Sequence, residues 1–405
     1  MQKRIGIIGF GEMGKRHAHE FREATCGMIE VAGVVEASDI KYQMGCEWNK
    51  LAVPRFESPA AMFEHCRLDG VIISSPNCMH WANLQELAGM NIPVLLEKPL
   101  DSSLEKVAEI VRFNSKYQGK IVVDHVMRYA PIVRRAKQLI MDGKLGKVCS
   151  FQFTHRDSWG MFHTFRRSIA GGGSQIIEKA THDLDVALYL TNALPEKVAM
   201  LSRQQVMGGN RPNDLRCPNC PDILTCPSAY TGNKTVSNNF KDIDVSNSLC
   251  VHAQEVDVPD NETCLIKLSN GIFGTYSHTY FCNMPGHSRI YEVIGTQGAL
   301  YMTLAESHDY HGLLKFYPVN NSGEIETYDF NYFGKIHYYG GPYVARHFYN
   351  LMCGSETKPF TTVNQAFVAE ALGFAAMQSA GGEQFVNILD MVPDDLRTTY
   401  SATYQ

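Results

Sequence analysis

Residues 4–14 read RIGIIGFGEMG, and no other stretch restricts the fold as tightly. A short apolar run, 4–9, meets Gly9-Phe10-Gly11-Glu12-Met13-Gly14 and continues into a helix-like segment over 15–21. This is G-x-G-x-x-G set between a strand and a helix. The first glycine allows a tight turn, the second lets the backbone approach a pyrophosphate, and the third permits close helix–strand packing, with the helix N-terminus facing the phosphates. A second apolar run, 31–35, ends in Glu36, 22 residues after Gly14. A carboxylate there accepts hydrogen bonds from both adenosine ribose hydroxyls and repels a 2′-phosphate, so the pattern predicts a dinucleotide site with NAD expected over NADP. Ser38 and Lys41 stand close enough to keep NADP open.

The alternation continues along the chain. Buried-strand runs at 70–75, 94–96 and 120–123 are separated by helical segments at 79–89 and 103–118, the second opening with a Ser102-x-x-Glu105 capping box. Alternating strands and helices predict a parallel sheet with ligand at the carboxyl ends of its strands. Those ends carry Pro76-Asn77, Glu97-Lys98-Pro99 and Asp124-His125. A lysine directly after an apolar strand, beside a bound dinucleotide, can serve chemistry; taken by itself, a snorkelling surface side chain is the better reading.

Residues 174–190, SQIIEKATHDLDVALYL, are read as a turn of loop feeding one helix. On a 3.6-residue period Glu178, His182 and Asp185 share a face, while Leu184, Ala187 and Leu188 take the buried side. Carboxylate, imidazole and carboxylate along one stripe suit a reacting hydroxyl; a solvated helix face is the plainer reading.

The second half predicts strands at 197–203, 263–268, 274–279, 289–294 and 299–304, with Ser269-Asn270-Gly271 as a hairpin turn. A largely antiparallel sheet follows, with a helical tail at 344–352 and 364–378 packing back on it. Loops after the strand 147–155 offer His155, Trp159, His163 and Arg166, donors and stacking surface of the kind a polyhydroxylated ligand needs. A polar insertion, 208–247, contains Cys217-Pro-Asn-Cys220 and Cys226, with Cys250 just after it. These four suit a tetrahedral structural zinc site, with an iron–sulfur centre and unliganded thiols as alternatives.

With 405 residues the chain exceeds what one core usually serves. A net charge of −5 gives no electrostatic reason to expect nucleic acid, and no apolar run reaches membrane-spanning length. The N-terminus passes straight into the first strand without a signal-peptide core, so a cytoplasmic protein is expected. Twelve cysteines in a chain this long are not a disulfide scaffold.

Five stretches in order, GFGEMG (9–14), SPNCMH (75–80), EKP (97–99), VMRYAP (126–131) and GGGSQIIEKATHDLD (171–185), make the chain resemble the Gfo/Idh/MocA (glucose–fructose oxidoreductase/inositol dehydrogenase) family of NAD(P)-dependent oxidoreductases. The resemblance implies an N-terminal Rossmann domain, 1–125, and a C-terminal α+β domain with a largely antiparallel open sheet, 126–405, carrying the insertion 208–250. It implies Lys98 as catalytic lysine, Pro99 often following a cis peptide bond, and His182 as catalytic histidine, with Glu178 or Asp185 orienting the imidazole. Glu178 stands where the family commonly has Asp, a change of one methylene in a position where placement matters. Dinucleotide contacts are then expected from Gly9, Phe10, Gly11, Glu12, Met13, Gly14, Glu36, Ser75, Pro76, Asn77, His80, Glu97 and Lys98. Substrate contacts are expected from His125, Arg128, Tyr129, His155, Trp159, His163, Arg166 and Lys179.

The expected reaction is hydride transfer between nicotinamide and a secondary alcohol of a sugar, glycoside or cyclitol. The alternatives are redox-assisted glycoside cleavage through a 3-keto intermediate and a non-catalytic NAD-binding sensor. Partners would be the small carbohydrate and further copies of the chain, as a homodimer or homotetramer, with neither nucleic acid nor membrane.

Overall fold

The computed structural model describes residues 2–157, 159–230, 248–282, 288–305, 311–319, 323–332 and 336–404. The chain folds as two compact units. The first comprises residues 1–130, 339–370 and 398–403. Its sheet has six strands, β1 (Lys3–Ile8), β2 (Ile29–Val35), β3 (Arg55–Phe56), β4 (Gly70–Ile73), β5 (Val94–Leu96) and β6 (Ile121–Val123). All pair in parallel, in the order β3-β2-β1-β4-β5-β6. This is the doubly wound order, with its switch point between β1 and β4. β4 and β5 are buried at every residue, as unbroken apolar runs require when helices cover both faces.

The core of this unit gathers Ile5, Ile7, Phe10, Phe21, Ile72, Leu95 and Val122, together with Val344, Phe348 and Leu351. The last three come from the helix Gly341–Cys353. The first stretch of the helical tail therefore belongs to the dinucleotide-type unit, where the sequence alone suggested the antiparallel sheet. A second difference is local. The helix Leu104–Lys116 is capped by Ser103, whose hydroxyl accepts from Lys106 N at 3.3 Å, not by Ser102. Asp101 Oδ1 already accepts the N–H groups of Ser102 and Ser103, which holds Ser102 outside the helix.

The second unit comprises residues 131–338, 371–397 and 404–405. Its sheet has nine strands: β7 (Val148–Arg156), β8 (Pro195–Arg203), β9 (Asn261–Leu268), β10 (Phe273–Thr279), β11 (Ser288–Gly295), β12 (Gly298–Ala305), β13 (His311–Pro318), β14 (Glu326–Asn331) and β15 (Val386–Asn387). The order is β14-β13-β12-β11-β7-β10-β9-β8-β15, antiparallel except between β7 and β10. β9 and β12 alternate buried and accessible residues, so one face packs and one stays open. The turn between β9 and β10 has Asn270 at φ +64° and Gly271 at +77°, the left-handed conformations that Asn and Gly tolerate.

The stretch 174–190 is two helices, Gln175–Glu178 and Thr181–Thr191, not one. Lys179 N and Ala180 N both donate to Gln175 O, at 2.9 and 3.0 Å, closing the first turn before the second helix begins. The longer helix turns no polar stripe to solvent: His182, Asp183 and Asp185 are all buried.

Candidate active site

The first unit carries the glycine turn. Gly9 has φ +88°, and a Cβ there would stand 2.5 Å from Ser75 N. A Cβ on Gly14 would stand 2.0 Å from Gly9 O, whereas one on Gly11 would meet nothing within 4 Å. Two glycines are thus demanded by packing. The third leaves open room over the N-terminus of the helix Glu12–Ala24, which no side chain caps. That cradle fits a pyrophosphate. Glu36, at the end of β2, accepts Phe10 N–H through Oε2 and Ser38 N–H through Oε1, both at 2.9 Å. Its carboxylate is thereby fixed at the lip of the glycine turn, where a ribose diol would lie.

The other strand ends of this unit are tied together. Asn83 donates to Ser75 Oγ at 2.8 Å. His80 is fully buried, with Nε2 3.0 Å from Ser75 O and Nδ1 3.0 Å from Pro99 O. Burial holds its pKa down, and its ring braces the loops after β4 and β5. Pro76 is exposed and Asn77 half-buried at the same strand end. The Lys98–Pro99 peptide bond is cis and Lys98 is half-buried. Glu97 points inward, its Oε1 2.8 Å from His17 Nε2, with Asp124 Oδ2 3.6 Å from the same nitrogen. Burial opposes charge on His17, but the hydrogen bond and charge of Glu97, together with the Asp124 and Glu20 charges, outweigh it and raise the His17 pKa. Burial and the Glu97 charge push the Asp124 carboxyl well up. His125 and Arg128 are buried, and Tyr129 belongs to the hydrophobic core, its ring edge-on to Phe360 at 4.8 Å.

His182 lies in the second unit. His182 is 2% exposed in the first turn of its helix. Glu178 is buried and pairs with Arg166, Nε to Oε1 3.0 Å. Lys179 Nζ stands 3.6 Å from Asp157 Oδ2. Asp185 is buried in the same helix. The sequence reading missed Asp183, which anchors that helix to the sheet. Asp183 accepts from Arg289 Nε at 2.7 Å and from Tyr276 OH at 3.1 Å, and it also accepts the hydroxyl of Tyr291. His155 Nδ1 is 3.2 Å away. Burial alone would raise the Asp183 pKa; the Arg289 charge and these hydrogen bonds hold it well below the usual carboxylate range. Arg289 occupies a buried position of an alternating strand, and an arginine there is the signal that could have found the network. His155 stacks on His278, centroids 4.4 Å apart, and both are held neutral chiefly by burial. Two buried groups, His155/Asp157/His278 and His17/Glu97/Asp124, have ligand atoms mutually within 4.8 Å, a spacing a cation could use.

The model of the "Oxidoreductase family, NAD-binding Rossmann fold" matches residues 3–125, and the "GFO/IDH/MocA C-terminal domain" matches residues 133–301. The chain belongs to the Gfo/Idh/MocA family. Among its relatives, the rhizopine catabolism protein MocA of Rhizobium meliloti is 23% identical over 206 residues, 51% of this chain and 62% of that protein. An inositol 2-dehydrogenase of Rhizobium meliloti (strain 1021) is 27% identical over 202 residues, 49% of this chain and 58% of that protein. The chain thus spans about six-tenths of the length of these two curated relatives. The crystal structure of scyllo-inositol dehydrogenase from Lactobacillus casei, with bound NAD(H) and scyllo-inositol, superposes with a TM-score of 0.70 over 96% of this chain and 100% of that one, at 18% identity.

Within this Gfo/Idh/MocA chain the remaining sequence candidates divide. The side chain of Trp159 lies outside the described residues. His163 Nδ1 donates to Leu249 O at 2.8 Å and stands 3.7 Å from Cys217 Sγ, and burial lowers the His163 pKa to about 4. His163 lines a cavity with Cys217, Cys220, Cys226 and Cys250. Among the described residues no helix is long and apolar enough to cross a membrane.

Proposed function

We propose that this chain is an NAD-dependent dehydrogenase acting on a secondary alcohol of a sugar or cyclitol. What carries the reading is the pairing of a dinucleotide-fitting unit that ends β5 in Lys98 with a second unit that buries His182 beside carboxylates. Two of the three proteins named above are inositol dehydrogenases by name, which supports a polyhydroxylated substrate.

When bound, NAD supplies the hydride acceptor at C4 of its nicotinamide. Glu36 is fixed to accept the ribose hydroxyls, which favours NAD over NADP. His182 takes the hydroxyl proton as the carbon–hydrogen bond breaks, and the Lys98 ammonium stabilises the developing alkoxide. Glu178, steered by Arg166, orients the reacting groups. Asp183 holds the His182 helix still from below. Lys179 and Asp157 offer a donor and an acceptor to neighbouring hydroxyls. Leu201, Leu265 and Phe273 stand 70%, 46% and 60% exposed on the open face of the second unit's sheet, and a second copy of the chain is the proposed cover for it.

Incubating the protein with NAD and a panel of inositols, monosaccharides and glycosides, and following NADH, tests the proposal. NADH formation with at least one polyol supports it, and none across the panel counts against it.

A further inference from the structure

The insertion of the second unit builds a site that hydride transfer does not use. Cys217, Cys220, Cys226 and Cys250 line one cavity, with His163, His252, Ile223 and Val251 also in its wall. Successive turns place three of the thiols: Cys220 N donates to Cys217 O at 3.1 Å, Ile223 N to Cys220 O at 3.2 Å and Cys226 N to Asp222 O at 2.8 Å. The fourth is delivered by a short backbone ladder, Cys217 N to Ser248 O at 3.0 Å and Cys250 N to Leu215 O at 2.8 Å. All four are free cysteines, so the segment is not stapled by disulfides. A polar segment with few apolar residues then needs another cross-link to hold this shape.

The spacing chooses among centres. A tetrahedral zinc with Zn–S about 2.3 Å brings its sulfurs to about 3.8 Å from one another. Here, among the described residues, no three of these sulfurs lie within 4.8 Å of one another. The thiols stand around a volume instead of closing on a point. That is the arrangement a polynuclear centre needs, because its own inorganic core fills the middle and each corner iron reaches outward to one thiolate. Two arginines stand beside the thiols, each also paired with a carboxylate: Arg167, bridged to Glu255, donates to Cys250 O at 2.7 Å, and Arg211, bridged to Asp222, acts electrostatically on Cys220 and Cys250. Cations suit the net negative charge of an iron–sulfur core carried by four thiolates.

We propose that Cys217, Cys220, Cys226 and Cys250 hold a [4Fe–4S] cluster that cross-links the insertion. Residues beside these cysteines fasten the insertion to the turns bearing Arg166. Leu249 N donates to His163 O at 2.9 Å, and Arg167 bridges to Asn213 O at 2.6 Å and to Glu255. The cluster's role is structural, and no electron is assigned to it.

The test is anaerobic purification of the full chain, followed by iron and acid-labile sulfide analysis and visible spectroscopy. The expected result is about four iron and four sulfide per chain, with a broad visible band that dithionite bleaches. Cys220→Ser and Cys226→Ser should lose both iron and band, while Cys353→Ser, an exposed cysteine of the first unit, should keep them. Retained NAD binding reports that the serine variants still fold in the first unit. Wild-type protein reconstituted with iron and sulfide gives a readout that needs no variant. Stoichiometric zinc without iron, or no iron uptake on reconstitution, would overturn the proposal.

Discussion

Arg289 Nε lies 2.7 Å from Asp183 Oδ1, and the two side chains are 2% and 0% exposed. A buried guanidinium–carboxylate pair is held less for its own energy than for the helix it fixes, since removing one partner strands the other's charge. Asp183→Asn should therefore destabilise the chain by about 3–5 kcal/mol, read as a lower midpoint in denaturant. Replacing both partners, Asp183→Leu with Arg289→Met, should cost less than the sum of the single changes, and strict additivity would show that the pair does not act as a unit.

Glu262 gives a pH dependence with a defined sign. Its side chain is buried beside Cys264, and burial, with the Asp260 charge, pushes its pKa from 4.5 up to about 8. Between those values the folded chain keeps a proton that the unfolded chain has released. Stability contributed by this group is complete below the unfolded pKa and falls as pH rises through the folded one. Glu262→Gln should thus be more stable than the parent at pH 8, by roughly 3–5 kcal/mol, with the gain vanishing near pH 4. Melting curves of both proteins across that range provide the check.

Glu36 fixes Phe10 N and Ser38 N, each at 2.9 Å. Glu36→Ala should weaken NAD binding about tenfold or more, as loss of hydrogen bonds to a charged acceptor implies, and narrow the preference for NAD over NADP. Titration of both dinucleotides by fluorescence quenching measures it.

The open sheet face makes a further prediction. Leu201→Asp combined with Phe273→Asp should shift the mass in light scattering from an oligomer toward the single chain, leaving the melting temperature of the monomer little changed, because both side chains are already exposed.

How much was legible in the residues follows from which signals are local. The glycine turn declared itself because Gly9 and Gly14 are forced by a positive φ and by contacts under 3 Å, constraints that only one residue type meets. Strand alternation in β9 and β12 read directly as one buried face. The break at Lys179–Ala180 did not show, because a bifurcated carbonyl at Gln175 leaves no mark on periodicity. Asp183 was passed over in favour of Asp185 for a different reason. Its partners Arg289, Tyr276 and Tyr291 lie about a hundred positions along the chain, and such pairing exists only after the sheet forms. That His163 stands beside the thiol of Cys217 was not legible either, because a histidine in a loop looks the same whatever its neighbour.

The central claim is that Lys98 and His182 act together in hydride transfer, and it is tested most directly by comparing Lys98→Met, His182→Ala and the parent chain on an accepted polyol. The account predicts that each variant loses about 10²–10⁴-fold in turnover, that NAD affinity stays within a few-fold, and that the double variant is little worse than either single one. Parent-like turnover in either variant would contradict it.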